Sequence, residues 1–183
     1  MRYDVFTLRG TAEPYDDPTN MLVDITRRLN PDLFNEPVDV DYPASIGPAN
    51  PQNNPRGVPL LVSVLDGKVN LAAHIRDTSN PNVIVIGYSL GAMVVSAFLE
   101  DMAAGAHYTE GLQVSRVVLM SNPRRAPETP GGTYGIAGVH DDYPDGLPVV
   151  EVWNPADGIT ACPDGSPLRL VADGIANMSF AVD

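Results

Sequence analysis

Gly87-Tyr88-Ser89-Leu90-Gly91 is the stretch of this chain best suited to covalent chemistry, a serine with a glycine two residues away on either side. A serine hydroxyl is a weak nucleophile until it is lifted clear of its surroundings, and a sharp strand-to-helix turn does this while the helix dipole favours negative charge nearby. The two glycines let such a turn close where a Cβ would block it. The attacked carbonyl then needs an oxyanion hole, and one donor is the backbone N–H that follows the nucleophile, here that of Leu90. A second donor must come from another strand-end loop, and Thr11 in Arg9-Gly10-Thr11 is the candidate, set against the alternative of a turn threonine bonded to its own backbone.

The acid of a hydrolytic triad is expected after Ser89, past the end of a later strand. Asp157 in Trp153-Asn154-Pro155-Ala156-Asp157 meets both conditions, with a plain Asp-Gly turn as the competing reading. Asp141, Asp142 and Asp145 precede that strand in a polar loop and read as solvated. A histidine should close the order, yet none follows Asp157. His74 falls within a predicted helix, as a surface or packing residue, and His107 follows the helix after Ser89, at the wrong end of the sheet. His140 is the remaining candidate base, in a loop between the fourth and fifth strands, out of the order usual for this kind of site.

These residues need strand ends to hold them. Tyr3–Leu8 reads as a first strand, Thr19–Leu29 as an amphipathic helix stopped by Asn30-Pro31, and Val38–Tyr42 as a half-exposed edge strand. Val58–Ile75 has a long helical pattern closed by Asn80-Pro81. Asn82–Tyr88 is a continuous apolar run, the mark of a strand covered on both faces, and it enters a small-residue helix over Ala92–Ala104. Val114–Met120 and Pro148–Trp153 are further buried-strand runs, and Leu168–Phe180 has the spacing of a last amphipathic helix. Alternating strands and helices predict an α/β fold with a central five-stranded parallel sheet, helices on both faces, and a ligand crevice at the carboxyl ends of the strands.

The 183 residues are enough for one domain with a substantial core, and 44% hydrophobic against 19% charged residues is ordinary for a globular protein. The formal charge of −12 argues against nucleic acid or anionic lipid as partners. Cys162 is the only cysteine, so an internal disulfide is ruled out and the residue reads as a small buried side chain. The first residues lack the apolar core of a signal peptide, no segment has the length of a membrane span, and no residue cluster calls for a metal or cofactor.

Arg9-Gly10-Thr11-Ala12-Glu13-Pro14, Asp41-Tyr42-Pro43-Ala44-Ser45, the Ser89 elbow, Ser121-Asn122-Pro123-Arg124-Arg125, Gly135-Ile136-Ala137-Gly138 and Asn154-Pro155-Ala156-Asp157 together resemble the cutinase superfamily, and within it the lysin B esterases of mycobacteriophages. The blocks fall in family order over nearly the whole chain. The resemblance implies an α/β-hydrolase domain over residues 1–183, Ser89 as nucleophile, Asp157 as acid, and Thr11 with the Leu90 amide as oxyanion hole. It implies a lipid-ester substrate such as the mycolate–arabinogalactan linkage of the actinobacterial envelope. It further implies a phage-encoded protein, released from the host cytoplasm at lysis or carried in the virion, with self-association or assembly with other phage proteins. The chain departs from the family in carrying Leu90 where cutinases commonly have Gln, and in lacking their stabilising cysteines. In lysin B enzymes the histidine follows the acid after an inserted helical segment, and this chain stops where that insertion would begin. Three readings account for this: a portion of a longer active esterase, a histidine supplied by a second chain, or a degenerate hydrolase reused as a structural or envelope-binding virion protein.

Overall fold

A computed structural model describes residues 2–177. The five strands are β1 (Asp4–Leu8), β2 (Val38–Asp39), β3 (Val83–Tyr88), β4 (Arg116–Met120) and β5 (Val149–Val152). They form one sheet in the order β2-β1-β3-β4-β5, every neighbouring pair parallel. Between them run α1 (Met21–Thr26), α2 (Leu60–Asp77) and α3 (Leu90–Ala103), and α4 (Pro167–Asn177) follows β5. The predicted α/β architecture is therefore present.

Strand alternation sends side chains to two unequal cores. Phe6 and Leu8 of β1, Val83 and Val85 of β3, and Val117 and Leu119 of β4 meet α2 and α3, where Leu71, Val94, Phe98 and Leu99 are fully buried. On the opposite face Val5, Ile84 and Ile86 meet Leu22 of the short α1. That second cover thins toward the far edge, where Val150 and Val152 of β5 stay 55% and 47% exposed.

Three boundaries differ from the sequence reading. The predicted edge strand Val38–Tyr42 pairs with β1 only over Val38–Asp39. Beyond Asp39 the chain leaves the ladder because the buried Arg9 guanidinium takes the carbonyls of Val40 (3.0 Å) and Tyr42, supplying donors in place of a neighbouring strand. The helix expected over Thr19–Leu29 is regular only for Met21–Thr26. Arg28 and Leu29 then donate to Ile25 and Thr26 in three-residue turns, tightening the chain before Asn30-Pro31. The last helix runs over Pro167–Asn177, and the part expected through Phe180 lies outside the described residues.

Candidate functional site

Strand register brings the predicted residues to one edge. Leu8 pairs with Gly87, Tyr88 with Met120, and Met120 with Val152, so the loops after β1, β3, β4 and β5 leave the sheet side by side. Ser89 stands at the centre with φ 52° and ψ −114°, a left-handed conformation that a residue bearing a Cβ adopts only when its surroundings enforce it. They do so here: the Ser89 N–H donates to the Met120 carbonyl (2.8 Å), and its own carbonyl accepts the Met93 N–H (3.1 Å) in the first turn of α3. The glycines admit this close packing. A Cβ on Gly91 would lie 2.0 Å from the Leu8 carbonyl oxygen, and one on Gly87 would lie 2.7 Å from Cα of Ala92. Leu90 begins α3, so its amide is among the helix's first N–H groups, which have no partner within the helix.

The loop after β1 presses on the elbow, since a Cβ on Gly10 would meet the Tyr88 ring at 2.8 Å. Thr11 is the next residue and is half-buried. Two groups absent from the sequence reading hold this loop. The Glu13 carboxylate accepts the Gly10 N–H and the Met21 N–H (2.7 Å), tying the loop to the start of α1. Arg9, 3% exposed, donates through Nε to the Glu13 carbonyl (2.9 Å) and lies 3.5 Å from Asp39. Their only signal in the sequence was membership of the Arg9–Pro14 block.

Asp157 lies past β5, half-buried, with Oδ1 accepting the Ile159 N–H (2.9 Å) and Oδ2 the Thr160 hydroxyl (3.0 Å). It is close enough to the elbow to act on Tyr88. Burial, together with the negative charges of Glu13 and Asp157, holds the Tyr88 phenol above its ordinary pKa. The loop that carries Asp157 is pinned by Arg125, whose guanidinium is 2% exposed. Nε donates to the Thr160 carbonyl (2.8 Å), Nη1 to that of Ala126 (2.8 Å) and Nη2 to that of Thr133 (2.5 Å), and the group lies 3.8 Å from the centroid of the Trp153 ring. Arg125 was visible beforehand only as part of the Ser121–Arg125 block.

His140 is not brought to Ser89, contrary to its candidacy as base. It stacks on Tyr143 at 4.1 Å and its Nδ1 lies 2.8 Å from the Asp141 carbonyl oxygen. Asp141 N–H in turn donates to Glu100 (2.7 Å), about 16 Å along α3 from Ser89 at ~1.5 Å per residue. The physical reason is the Arg124–Glu100 ion pair (2.6 Å), which with the His140 N–H to Arg124 carbonyl bond (2.9 Å) anchors the loop to the far half of α3. His74 packs on Phe6 within α2, ring centroids 5.5 Å apart, and the His107 side chain is 98% exposed beyond α3. Cys162 is fully buried. Among the described residues no cluster of His, Cys, Asp and Glu could hold a metal ion, and no helix is long and apolar enough to cross a membrane.

The overall arrangement has solved counterparts. Lysin B from Mycobacteriophage D29 superposes with a TM-score of 0.70 at 20% identity, over 98% of this chain and 75% of that one. The catalytic core domain of acetyl xylan esterase from Trichoderma reesei does so with 0.63 at 19%, over 96% and 95%, and a cutinase-like protein from Cryptococcus sp. with 0.57 at 18%, over 96% and 89%. At these identities the likeness establishes a cutinase-like α/β-hydrolase fold. No curated protein matches the sequence. The PE-PPE domain profile matches residues 35–182, a span that includes the elbow, Arg125 and the Asp157 loop, and the chain thus belongs to the PE-PPE domain family.

Proposed function

We propose that this chain is a serine ester hydrolase that works through an acyl-enzyme, with lipid esters as substrates. The observation that carries the reading is Ser89 itself, held at positive φ on a strand-to-helix elbow with the Leu90 amide behind it. In this mechanism Ser89 Oγ attacks the ester carbonyl and loses its proton to a base. The oxyanion accepts hydrogen bonds from the Leu90 N–H and from Thr11. The alcohol then leaves, and water releases the acid from the serine ester. Asp157 orients the base, and each of its oxygens keeps capacity for another donor beyond the bonds to Ile159 and Thr160. His74 packs on Phe6, His140 stacks on Tyr143 and His107 is exposed beyond α3, so no residue is assigned as the base in this reading.

Exposed apolar side chains near the acid loop support a lipid substrate. Ile159 is 42% and Leu168 50% exposed, and Leu168 lies against Gly158. The likeness to lysin B narrows the proposal to esters of the actinobacterial envelope, such as the mycolate–arabinogalactan linkage, and to a phage-encoded protein. The placement of His140 away from Ser89 favours a second reading, a virion protein that keeps the fold for structure or envelope binding and has little catalysis of its own.

Hydrolysis of short- and long-chain p-nitrophenyl esters by the chain, beside Ser89→Ala and His140→Ala, separates the two. The esterase reading expects turnover that Ser89→Ala abolishes and His140→Ala leaves intact. Equal inertness of wild type and Ser89→Ala would show that the chain is not a self-sufficient esterase, which leaves a base held elsewhere or the structural role.

A further inference from the structure

A second concavity, away from the elbow, lies between α1 and the β2 edge of the sheet. Its volume is about 540 Å³, within the range of small-molecule sites, and Thr7, Asn20, Leu22, Phe34, Pro37 and Asp39 are in its wall. Two buried side-chain atoms among the described residues lack a hydrogen-bond partner, Oδ1 of Asn20 and Oδ1 of Asp39, and both residues belong to this one cavity. Asn20 is 5% exposed and Asp39 13%. The other polar atom of each side chain is spoken for. Asn20 Nδ2 donates to the Pro14 carbonyl (2.7 Å), and Asp39 Oδ2 accepts the Asp16 N–H (3.0 Å) with Arg9 at 3.5 Å. A buried acceptor left unmatched is costly, so a protein that keeps two of them on one cavity gains by binding something that donates.

The chemistry of the wall limits what that is. Both unmatched atoms accept, so a ligand that reaches them brings donors, while the wall's Arg2, Arg9 and Arg27 are offset by Asp16, Asp17, Glu36 and Asp39. With charges of both signs nearly balanced around it, the cavity favours a neutral ligand over an ion of either sign, and no metal-binding cluster is present among the described residues. Leu22, Phe34 and Pro37 offer apolar surface beside the two acceptors, as the C–H face of a sugar ring requires.

We propose that this cavity binds a neutral polyhydroxylated ligand, a saccharide unit whose hydroxyl groups donate to Asn20 and Asp39. The site is independent of Ser89. Occupying it requires no ester chemistry, so it stands or falls separately from the hydrolase reading.

The test is NMR titration of the ¹⁵N,¹³C-labelled chain with methyl glycosides of common pentoses and hexoses, and in separate arms with inorganic phosphate and ammonium chloride. The expected result is a saturable shift of the Asn20 side-chain amide and the Leu22 methyl signals with at least one glycoside. Ser89→Ala should retain it, and Asn20→Ala should weaken it by about tenfold, the worth of one buried hydrogen bond. Because Asn20→Ala also removes the bond to Pro14, Val23→Trp provides the second variant; it fills the cavity from a half-buried position and should eliminate the shift. The proposal is overturned by unsaturable or absent shifts with every glycoside, by equal shifts in a folded Val23→Trp variant, or by saturation with phosphate or ammonium instead.

Discussion

Replacing Arg125 with Met should destabilise the protein by about 3–5 kcal/mol, because Arg125 joins the loop that carries Asp157 to the segments at Ala126 and Thr133. Met matches the length of Arg and fills most of its volume, so the loss is chiefly polar. The buried Thr160 carbonyl and the part-buried Ala126 and Thr133 carbonyls lose the donors that reached them at 2.5–2.8 Å. Each buried carbonyl left unmatched costs about 1–3 kcal/mol, and the cation–π contact with Trp153 adds roughly 1 kcal/mol. These costs are offset by sparing the desolvation of a guanidinium and are not additive, which gives the smaller total. For a chain of this size the shift in Tm is about 2–4 °C per kcal/mol, or roughly 10 °C altogether. Trp153 is the only tryptophan, so its fluorescence during urea unfolding reports the Arg125 neighbourhood while far-UV circular dichroism reports the sheet and helices. Fluorescence should change at lower urea than circular dichroism in Arg125→Met, and the two should coincide in the wild type. Coincident transitions with a loss below about 1 kcal/mol would refute the assignment of Arg125 as anchor of the acid loop.

Gly91→Ala should cost more than about 4 kcal/mol or prevent folding, since its Cβ would enter the Leu8 and Arg9 carbonyls of the central sheet, which cannot retreat; a thermal melt by circular dichroism checks this. Asp101 ties α3 to α2 and to the segment after α3. Burial alone would raise its carboxyl, but the hydrogen bonds from Lys68 (2.5 Å) and Tyr108 (2.5 Å) outweigh it and hold the pKa below the ordinary value. A lowered folded-state pKa contributes stability above the unfolded value near ~4, and that stability is lost as pH falls through the folded value. Asp101→Asn should therefore lower stability at neutral pH and reduce the loss on acidification, measured as urea midpoints from pH 7 to below ~4.

The parallel sheet was legible because β3 and β4 are unbroken apolar runs flanked by helices with apolar faces, and the elbow because its five residues sit between such a strand and such a helix. Asp157 is proposed from chain order, and the structure puts it past β5, within reach of Tyr88 at the elbow. The shortness of β2 was not legible, because what ends it is an arginine thirty residues earlier whose guanidinium replaces a strand. Arg9 and Arg125 escaped for the same reason. An arginine in a polar loop looks solvated in sequence, and only the folded chain shows that its donors meet carbonyls from distant segments. Loop length alone allows His140 to reach the crevice, and the Arg124–Glu100 pair that holds its loop elsewhere joins residues on different elements, which sequence does not show.

The uneven cover of the sheet sets the order in which the molecule loosens. Backbone amides of β1 and β3, sealed on both faces, can exchange with solvent only through openings close to complete unfolding, whereas β5 is wet on one side at Val150 and Val152 and borders solvent along its edge. Ser89 is thus mounted on a central strand and Asp157 past an edge strand that opens more readily. In the proposed mechanism, heat or mild denaturant would let Asp157 drift while Ser89 still sat in its strained turn, so hydrolysis would fade before the fold did.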